Sequence, residues 1–391
     1  MMLARLEVQA GWHPRQNCPV QAQVPVSNDV NLESLILINA ETGNAVTIQA
    51  TREGEADSVT ISWIVEALDA EQSQVYELQI GQQIPELSGG VNLDDAKDGL
   101  LQISVGGEQF TTYNFGRTII RPYLYPVFAS DGVGITRDWP MVPDAVGDTT
   151  DHVHHRGIWT AHGEVNGNVD NWGEKEGHGW QIHRGFKNQF SGPVLGGFTQ
   201  SLDWTDGNKK VNMTETRRMT FYDVPGSIRL FDYTVSLHAS HGAVLLADTK
   251  EAGLLSVRVA TSMDAKNENG GRIQNGFGGL QEQETWGKRA PWCHYDGPIN
   301  EQWYGISLMD HPDNPRHPSH WHVRNYGLMT ANCFGLHDFT RDPNQRWDLT
   351  IPAGETRTWQ YRVLIHLGDA GQGQPANYYH DFAHPPTISI L

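Results

Sequence analysis

Val211-Asn212-Met213-Thr214-Glu215-Thr216-Arg217-Arg218-Met219-Thr220-Phe221 alternates apolar and polar residues at a period of two. Side chains two apart share one face of a β-strand, so Val211, Met213, Met219 and Phe221 line a single side. Glu215 and Arg217 fall on that same apolar side, which predicts an ion pair inside the core. Asp223-Val224-Pro225-Gly226 then turns the chain. From Ile228 to His238 the alternation resumes, with Phe231, Tyr233, Val235 and Leu237 together. A helix would need apolar residues three and four apart, and no such pattern runs longer than about ten residues. Ala376 to Phe382 alone reads as a short helical turn.

Working outward, Val244–Ala247, Leu254–Val259 and Thr358–Ile365 are further strands. Upstream, Leu35–Ile38, Val59–Ile64 and Val75–Ile80 are short β-branched or aromatic runs separated by turn residues such as Glu41-Thr42-Gly43-Asn44. The chain therefore reads as all-β, with no alternation of strand and helix. The polar stretch Asn92–Gly99 is the candidate boundary. It divides a small N-terminal β-sandwich, residues 1–95, from a large antiparallel β domain, residues 96–391, that carries the site.

The 391 residues hold a net charge of −18, which excludes a general nucleic-acid or anionic-membrane binder. No apolar run approaches the ~18 residues of a membrane span. Met1 to Glu7 lacks the apolar core of a signal peptide, and the three cysteines (Cys18, Cys293, Cys333) are too few and too scattered for a disulfide framework. A cytoplasmic location is the expectation.

Histidine is concentrated. Six of the 18 lie from His152 to His183 and six more from His294 to His337. Trp139, Trp159, Trp172, Trp180, Trp286, Trp292, Trp303 and Trp321 fall in or beside the same stretches. Histidine, tryptophan and glycine on loops point to a polar site with aromatic walls. In Asp151-His152-Val153-His154-His155-Arg156-Gly157-Ile158-Trp159, neighbouring imidazoles can supply an acid and a base or bind a metal. Gly163-Glu164-Val165-Asn166-Gly167 leads through a turn-rich loop to Trp172. Lys250 and Glu251 sit between apolar strands, and Arg258 lies inside the second of them, placed to meet a carboxylate. His320-Trp321-His322-Val323-Arg324 puts His320, His322 and Arg324 on one strand face, and Asn332-Cys333-Phe334-Gly335 follows. No His-Glu-x-x-His, Gly-x-Ser-x-Gly or phosphate-binding loop is present.

Several of these segments resemble a bacterial family of unassigned function commonly labelled methane oxygenase PmoA, or PmoA-like. They are Arg121-Pro122-Tyr123-Leu124-Tyr125-Pro126, the Asp151–Trp159 block, Gly163–Gly167, Asp248-Thr249-Lys250-Glu251, Asp310-His311-Pro312 through Arg324, and Asn332–Gly335. The resemblance implies a β-supersandwich like that of galactose mutarotase and a link to carbohydrate chemistry. It implies no catalytic residues, and methane oxidation is set aside because the chain lacks a membrane span.

The leading expectation is a carbohydrate-active enzyme working by acid–base chemistry: mutarotation, epimerisation, or elimination and hydration of an oxidised sugar. His154 or His155 and His322 are the candidate acid and base, Glu251 a second carboxylate, and Lys250 and Arg324 charge stabilisers. Arg156, Trp159, Asn166, Trp172, Arg258, Trp286, His320, Trp321 and Asn332 are the expected substrate contacts. The partner is a small carbohydrate, with no cofactor and no metal ligands assigned. A non-catalytic carbohydrate-binding protein and a histidine-ligated metal enzyme are the alternatives.

Overall fold

A computed structural model of the chain describes residues 1–52, 54, 57–81, 89–266 and 269–391. The strand Val211–Tyr222 pairs antiparallel with Ile228–His238, with Phe221 opposite Phe231 and Met219 opposite Tyr233, as the alternation requires. These two strands sit centrally in an eight-stranded antiparallel sheet. Its order is Trp180–Phe190, Leu195–Thr205, Val211–Tyr222, Ile228–His238, Thr356–Leu367, Gln302–Asp310, Trp292–Ile299 and Arg272–Asn275.

A second eight-stranded sheet faces it. It runs His320–Val323, Leu328–Asn332, Ala252–Arg258, Ile158–His162, Tyr123–Val127, Glu108–Asn114, Leu100–Val105 and Val91–Lys97. One apolar cluster fills the space between them, with Phe110 of the second sheet against Phe221 and Phe231 of the first, both at 5.8 Å. The all-β supersandwich is thus the architecture. Inside this core Arg217 and Glu215 pair at 2.6 Å, both wholly buried. Tyr113, Gln181 and the Pro122 carbonyl take the remaining guanidinium protons and Trp204 donates to Glu215, so the charges are satisfied.

The N-terminal strands form a five-stranded and a three-stranded sheet around a separate core that includes Trp63 and Tyr76. The expected boundary at residue 95 falls inside Val91–Lys97, a strand of the second large sheet. The last strand, Thr387–Ile390, returns to pair with Met2–Gln9. Arg15 and Asp381, both buried, join the two ends of the chain at 3.1 Å. The longest helix among the described residues is Pro375–Ala383, nine residues, and none is long and apolar enough to cross a membrane. All three cysteines are free and buried.

Candidate functional site

One guanidinium clamps the loop that carries the first histidine cluster. Arg137, fully buried, donates to the carbonyls of Asp151 (2.8 Å), His152 (3.0 Å) and His155 (3.3 Å) and to the Asp151 carboxylate at 2.6 Å. Gly157 closes the loop with φ of +54°, and a Cβ there would lie 1.9 Å from the Leu124 carbonyl oxygen, so only glycine passes.

The clamped loop stacks its rings. His152 lies nearly parallel to His155 (4.7 Å) and to Tyr326 (5.0 Å), those two rings being 6.5 Å apart, and His155 rests on Trp159 at 5.2 Å. Arg258, wholly buried, reaches into this stack from Ala252–Arg258. It pairs with Asp151 at 2.8 Å, approaches His155 Nδ1 at 3.2 Å and lies 4.9 Å above the Tyr326 ring. Burial pushes the Asp151 carboxyl up, but Arg258, His152 and Arg137 outweigh it and hold it below its usual range.

Strand register extends the site sideways. Trp159 stands opposite Ser256, Ser256 opposite Thr330, and Thr330 opposite His322. Directly opposed side chains point to one side of a sheet. Trp159 packs with Tyr123, Ala161, Trp172 and Leu328, outside the inter-sheet core, so the row occupies the outer face. Along and above it, Trp159 Nε1, Ser256 Oγ, Thr330 Oγ1, Trp172 Nε1 and His155 Nε2 are buried without a protein partner.

The hydrogen bonds also set the tautomers of two histidines. A guanidinium only donates, so the Arg258 contact makes His155 Nδ1 the acceptor and puts the ring proton on Nε2. The Trp286 indole donates to His322 Nδ1 at 3.0 Å with the same consequence. Both rings are neutral. Burial, then His154 and Arg258, push His155 well below the ordinary imidazole range. Burial, then Arg324, Lys250 and His152, push His322 down to about 3. His154 is likewise lowered to about 3 by burial and Arg121. An imidazole in this state cannot serve as a general acid near neutrality. With Nδ1 occupied it also lacks a free basic nitrogen, so His155 and His322 present Nε2–H donors where sequence reasoning placed an acid–base pair.

Lys250 and Glu251 form a rim pair at 3.1 Å, their side chains 36 % and 43 % exposed. Arg324 pairs with Glu282 at 3.0 Å and lies 5.3 Å from the Tyr326 ring. Arg324, Lys250 and His152 add to burial in lowering the His322 imidazole, and Glu251 and Asp151 add to burial in raising the Tyr326 phenol.

Other expected contacts lie apart or are spent. Arg156 holds Glu174 with two bonds, at 3.1 and 2.9 Å. Asn166 is exposed and bound to Leu245. Trp159 and Trp172 are buried in the outer cluster rather than lining an open wall. Trp321 is core, its indole donating to the Ala290 carbonyl at 2.9 Å, because the residue between His320 and His322 must face the opposite sheet. His320 is enclosed by Phe339 and Trp347. Asn332 binds the carbonyls of Thr249 and Lys250 and accepts from Phe334 and Gly335, so it shapes the Lys250–Glu251 loop.

Sequence reasoning missed Arg137, Asp151, Tyr326, Asp264 and the pair in which Asp248 accepts from His337 Nδ1. Asp264 is buried beside Arg258 with neither carboxylate oxygen hydrogen-bonded, and burial raises it to about 6. Among the described residues no three His, Cys, Asp or Glu side chains are grouped to hold a metal ion. A surface cavity of about 670 Å³ lies away from the histidine clusters and is bordered by Asn39, Tyr76 and Asp223.

No curated protein matches the chain. Among solved structures it is similar to an alpha-mannosidase from Enterococcus faecalis V583, with 9 % identity over 99 % of this chain and 46 % of that one, TM-score 0.46. A glycosyl hydrolase family 38 protein from Enterococcus faecalis shares 10 % over 99 % and 47 %, TM-score 0.39. A glycoside hydrolase family 97 enzyme from Pseudoalteromonas sp. strain K8 shares 9 % over 73 % and 35 %, TM-score 0.24. The chain spans less than half the length of these chains, and likenesses this loose fix neither substrate nor reaction. The PmoA-like resemblance is corrected. It rested on short motifs, whereas a family model that follows the chain from residue 100 to 380 is that of DUF6807, a family of unknown function. The chain belongs to the DUF6807 family.

Proposed function

We propose that this protein is a carbohydrate-active enzyme whose site is the outer face of the second large sheet, beneath the Thr149–Gly157 loop. The observation that carries the reading is the pair His155 and His322, neutral and each presenting an Nε2–H. Around them stand polar atoms without protein partners. Five such atoms would cost about 1–3 kcal/mol each if left dry. The total, about 5–15 kcal/mol, is as large as the net stability of a typical domain. A hydroxyl-rich ligand admitted by movement of the overlying loop would supply partners for them.

A neutral imidazole N–H set against a carbonyl oxygen polarises it without giving up a proton, and this is the role assigned to His155 and His322. The substrate that suits them is an oxidised sugar. Glu251 takes the proton from the carbon beside the carbonyl. The C–H electron pair becomes a C=C bond, and the carbonyl π pair moves onto the oxygen held by His155 and His322. Return of the proton to the other face completes an epimerisation. Alternatively, departure of a β-oxygen, protonated by the Tyr326 phenol, completes an elimination. Burial raises that phenol to about 12, so it enters as an acid. Lys250 and Arg324 balance the developing charge.

The test uses the purified protein in D2O with a panel of sugars, keto-sugars and sugar acids. Proton NMR should show deuterium entering beside the carbonyl of one class, with the rate falling about 100-fold or more in His155→Gln and His322→Gln. Binding with no exchange and no product would leave a non-catalytic carbohydrate binder. Exchange that survives both substitutions would remove the histidines from the chemistry.

A further inference from the structure

Trp12 sits at the turn between the first two strands, far in sequence from the family-matched segment. Among the described residues it is the one exposed tryptophan, 82 % accessible, whereas Trp63 of the same module is fully buried. The indole borders two cavities at once. One, about 360 Å³, is shared with His13, Arg15 and His384; the other, about 370 Å³, with Glu71, Gln72 and Ser73. Gln9 and Thr387 line both. Each lies at the lower end of the usual range for small-ligand sites, about 300–1,000 Å³.

The surroundings mix apolar surface with hydrogen-bonding groups. His13 stacks on His380 at 3.6 Å, with His384 6.2 Å away. His380 Nδ1 is buried without a partner. Burial, then Arg15 and His384, lower His13, so its ring is uncharged near neutrality. The Arg15 guanidinium is already held by the Ala10 carbonyl and by Asp381, so it offers no free charge for an anion. An exposed flat ring edged by amides, hydroxyls and neutral imidazoles matches a pyranose, which has an apolar face and a hydroxyl rim.

We propose that the Trp12 turn is a second glycan-binding site, a platform for a neutral oligosaccharide or chain end. The net charge of −18 and the nearby Glu71 disfavour acidic glycans. This inference shares with the reading above only the ligand class; it needs no catalysis.

Affinity electrophoresis of the full chain tests it, in gels cast with galactomannan, xyloglucan, arabinoxylan or mixed-linkage glucan, and with pectate as the acidic comparison. Wild type should be retarded in at least one neutral gel. Trp12→Ala should bind about tenfold more weakly, and Trp12→Phe should recover part of the loss. His322→Gln should migrate like wild type, which separates this site from the one under the Thr149–Gly157 loop. Retardation of Trp12→Ala equal to wild type, loss of retardation in His322→Gln alone, retardation by pectate only, or no retardation in any gel would each overturn the proposal.

Discussion

Trp286→Phe isolates the tautomer argument. The substitution keeps an aromatic ring against Phe339, 5.3 Å away, and deletes the N–H that Nδ1 of His322 accepts at 3.0 Å, together with one ring of the indole. The imidazole is left with a buried acceptor lacking its donor, which costs about 1–3 kcal/mol. Unfolding entropy of about 2.1 cal/mol/K per residue gives about 0.8 kcal/mol/K for a chain of this length if it melts as one unit, so the thermal midpoint should fall by about 1–4 °C. The diagnostic measurement is a long-range proton–nitrogen NMR spectrum of the histidine rings. In wild type His322 should show a bare Nδ1 and a protonated Nε2, unchanged from pH 5 to 8, because its titration is pushed down to about 3. In the variant the accepted hydrogen bond no longer favours the neutral ring, so its titration moves upward and the Nδ1–H tautomer becomes populated. Turnover should fall in step with the lost Nε2–H fraction. A wild-type His322 that carries its proton on Nδ1, or that titrates between pH 5 and 8, refutes the reasoning whatever the activity does.

Asp264→Asn should stabilise the protein at neutral pH. The carboxyl titrates near 6 when folded against 3.8 for the free group, so the native state favours the protonated acid. That contribution is complete below pH 4 and is lost as pH rises through 6. The variant should therefore gain up to about 3 kcal/mol over wild type at pH 7.5 and nothing at pH 4, read from urea midpoints; an equal gain at both would rule the carboxylate out as the cause. Glu215→Gln strands the Arg217 charge in the core and should cost about 3–5 kcal/mol in the same assay. A cost under about 1 kcal/mol would show that water reaches the pair. Gly157→Ala meets the Leu124 carbonyl and a left-handed backbone together. It should cost more than the ~1–2 kcal/mol of the backbone conformation alone, and wild-type stability would mean that the loop closes differently.

Local pattern carried the fold a long way. The period-two runs at Val211–Tyr222 and Ile228–His238 are core strands, and the Glu215–Arg217 pair was readable because both positions share the apolar face. The histidine loops were readable as a polar concentration; register brings Trp159, Arg258 and His322 onto one sheet face, and the loop sets His155 against Trp159 and Arg258. What local pattern could not give was direction. Trp321 reads as a wall residue by composition, but its position between two outward histidines sends it into the core. Arg137 looks like an ordinary loop cation until folding shows it holding the carbonyls of Asp151, His152 and His155. Which ring nitrogen of His155 and His322 is left to donate depends on which neighbour occupies Nδ1, and those neighbours are 103 and 36 residues away. Trp12 and Trp63 are opposite in exposure, Trp63 sharing the buried strand face of Val59 and Ile61 and Trp12 standing in a turn.

The pairing of Thr387–Ile390 with Met2–Gln9 has a consequence for biosynthesis. Translation at about 5–20 residues per second delivers the closing strand about 20–80 s after the strand it covers. Through that interval one backbone edge of Met2–Gln9 stands open, while its other edge can already pair with Ser73–Ile80. An open edge is a template for another chain. The emerging polypeptide therefore carries a sticky seam along Met2–Gln9 until Thr387–Ile390 is made, and polysomes, where sister chains crowd together, are where misassembly of this protein would begin.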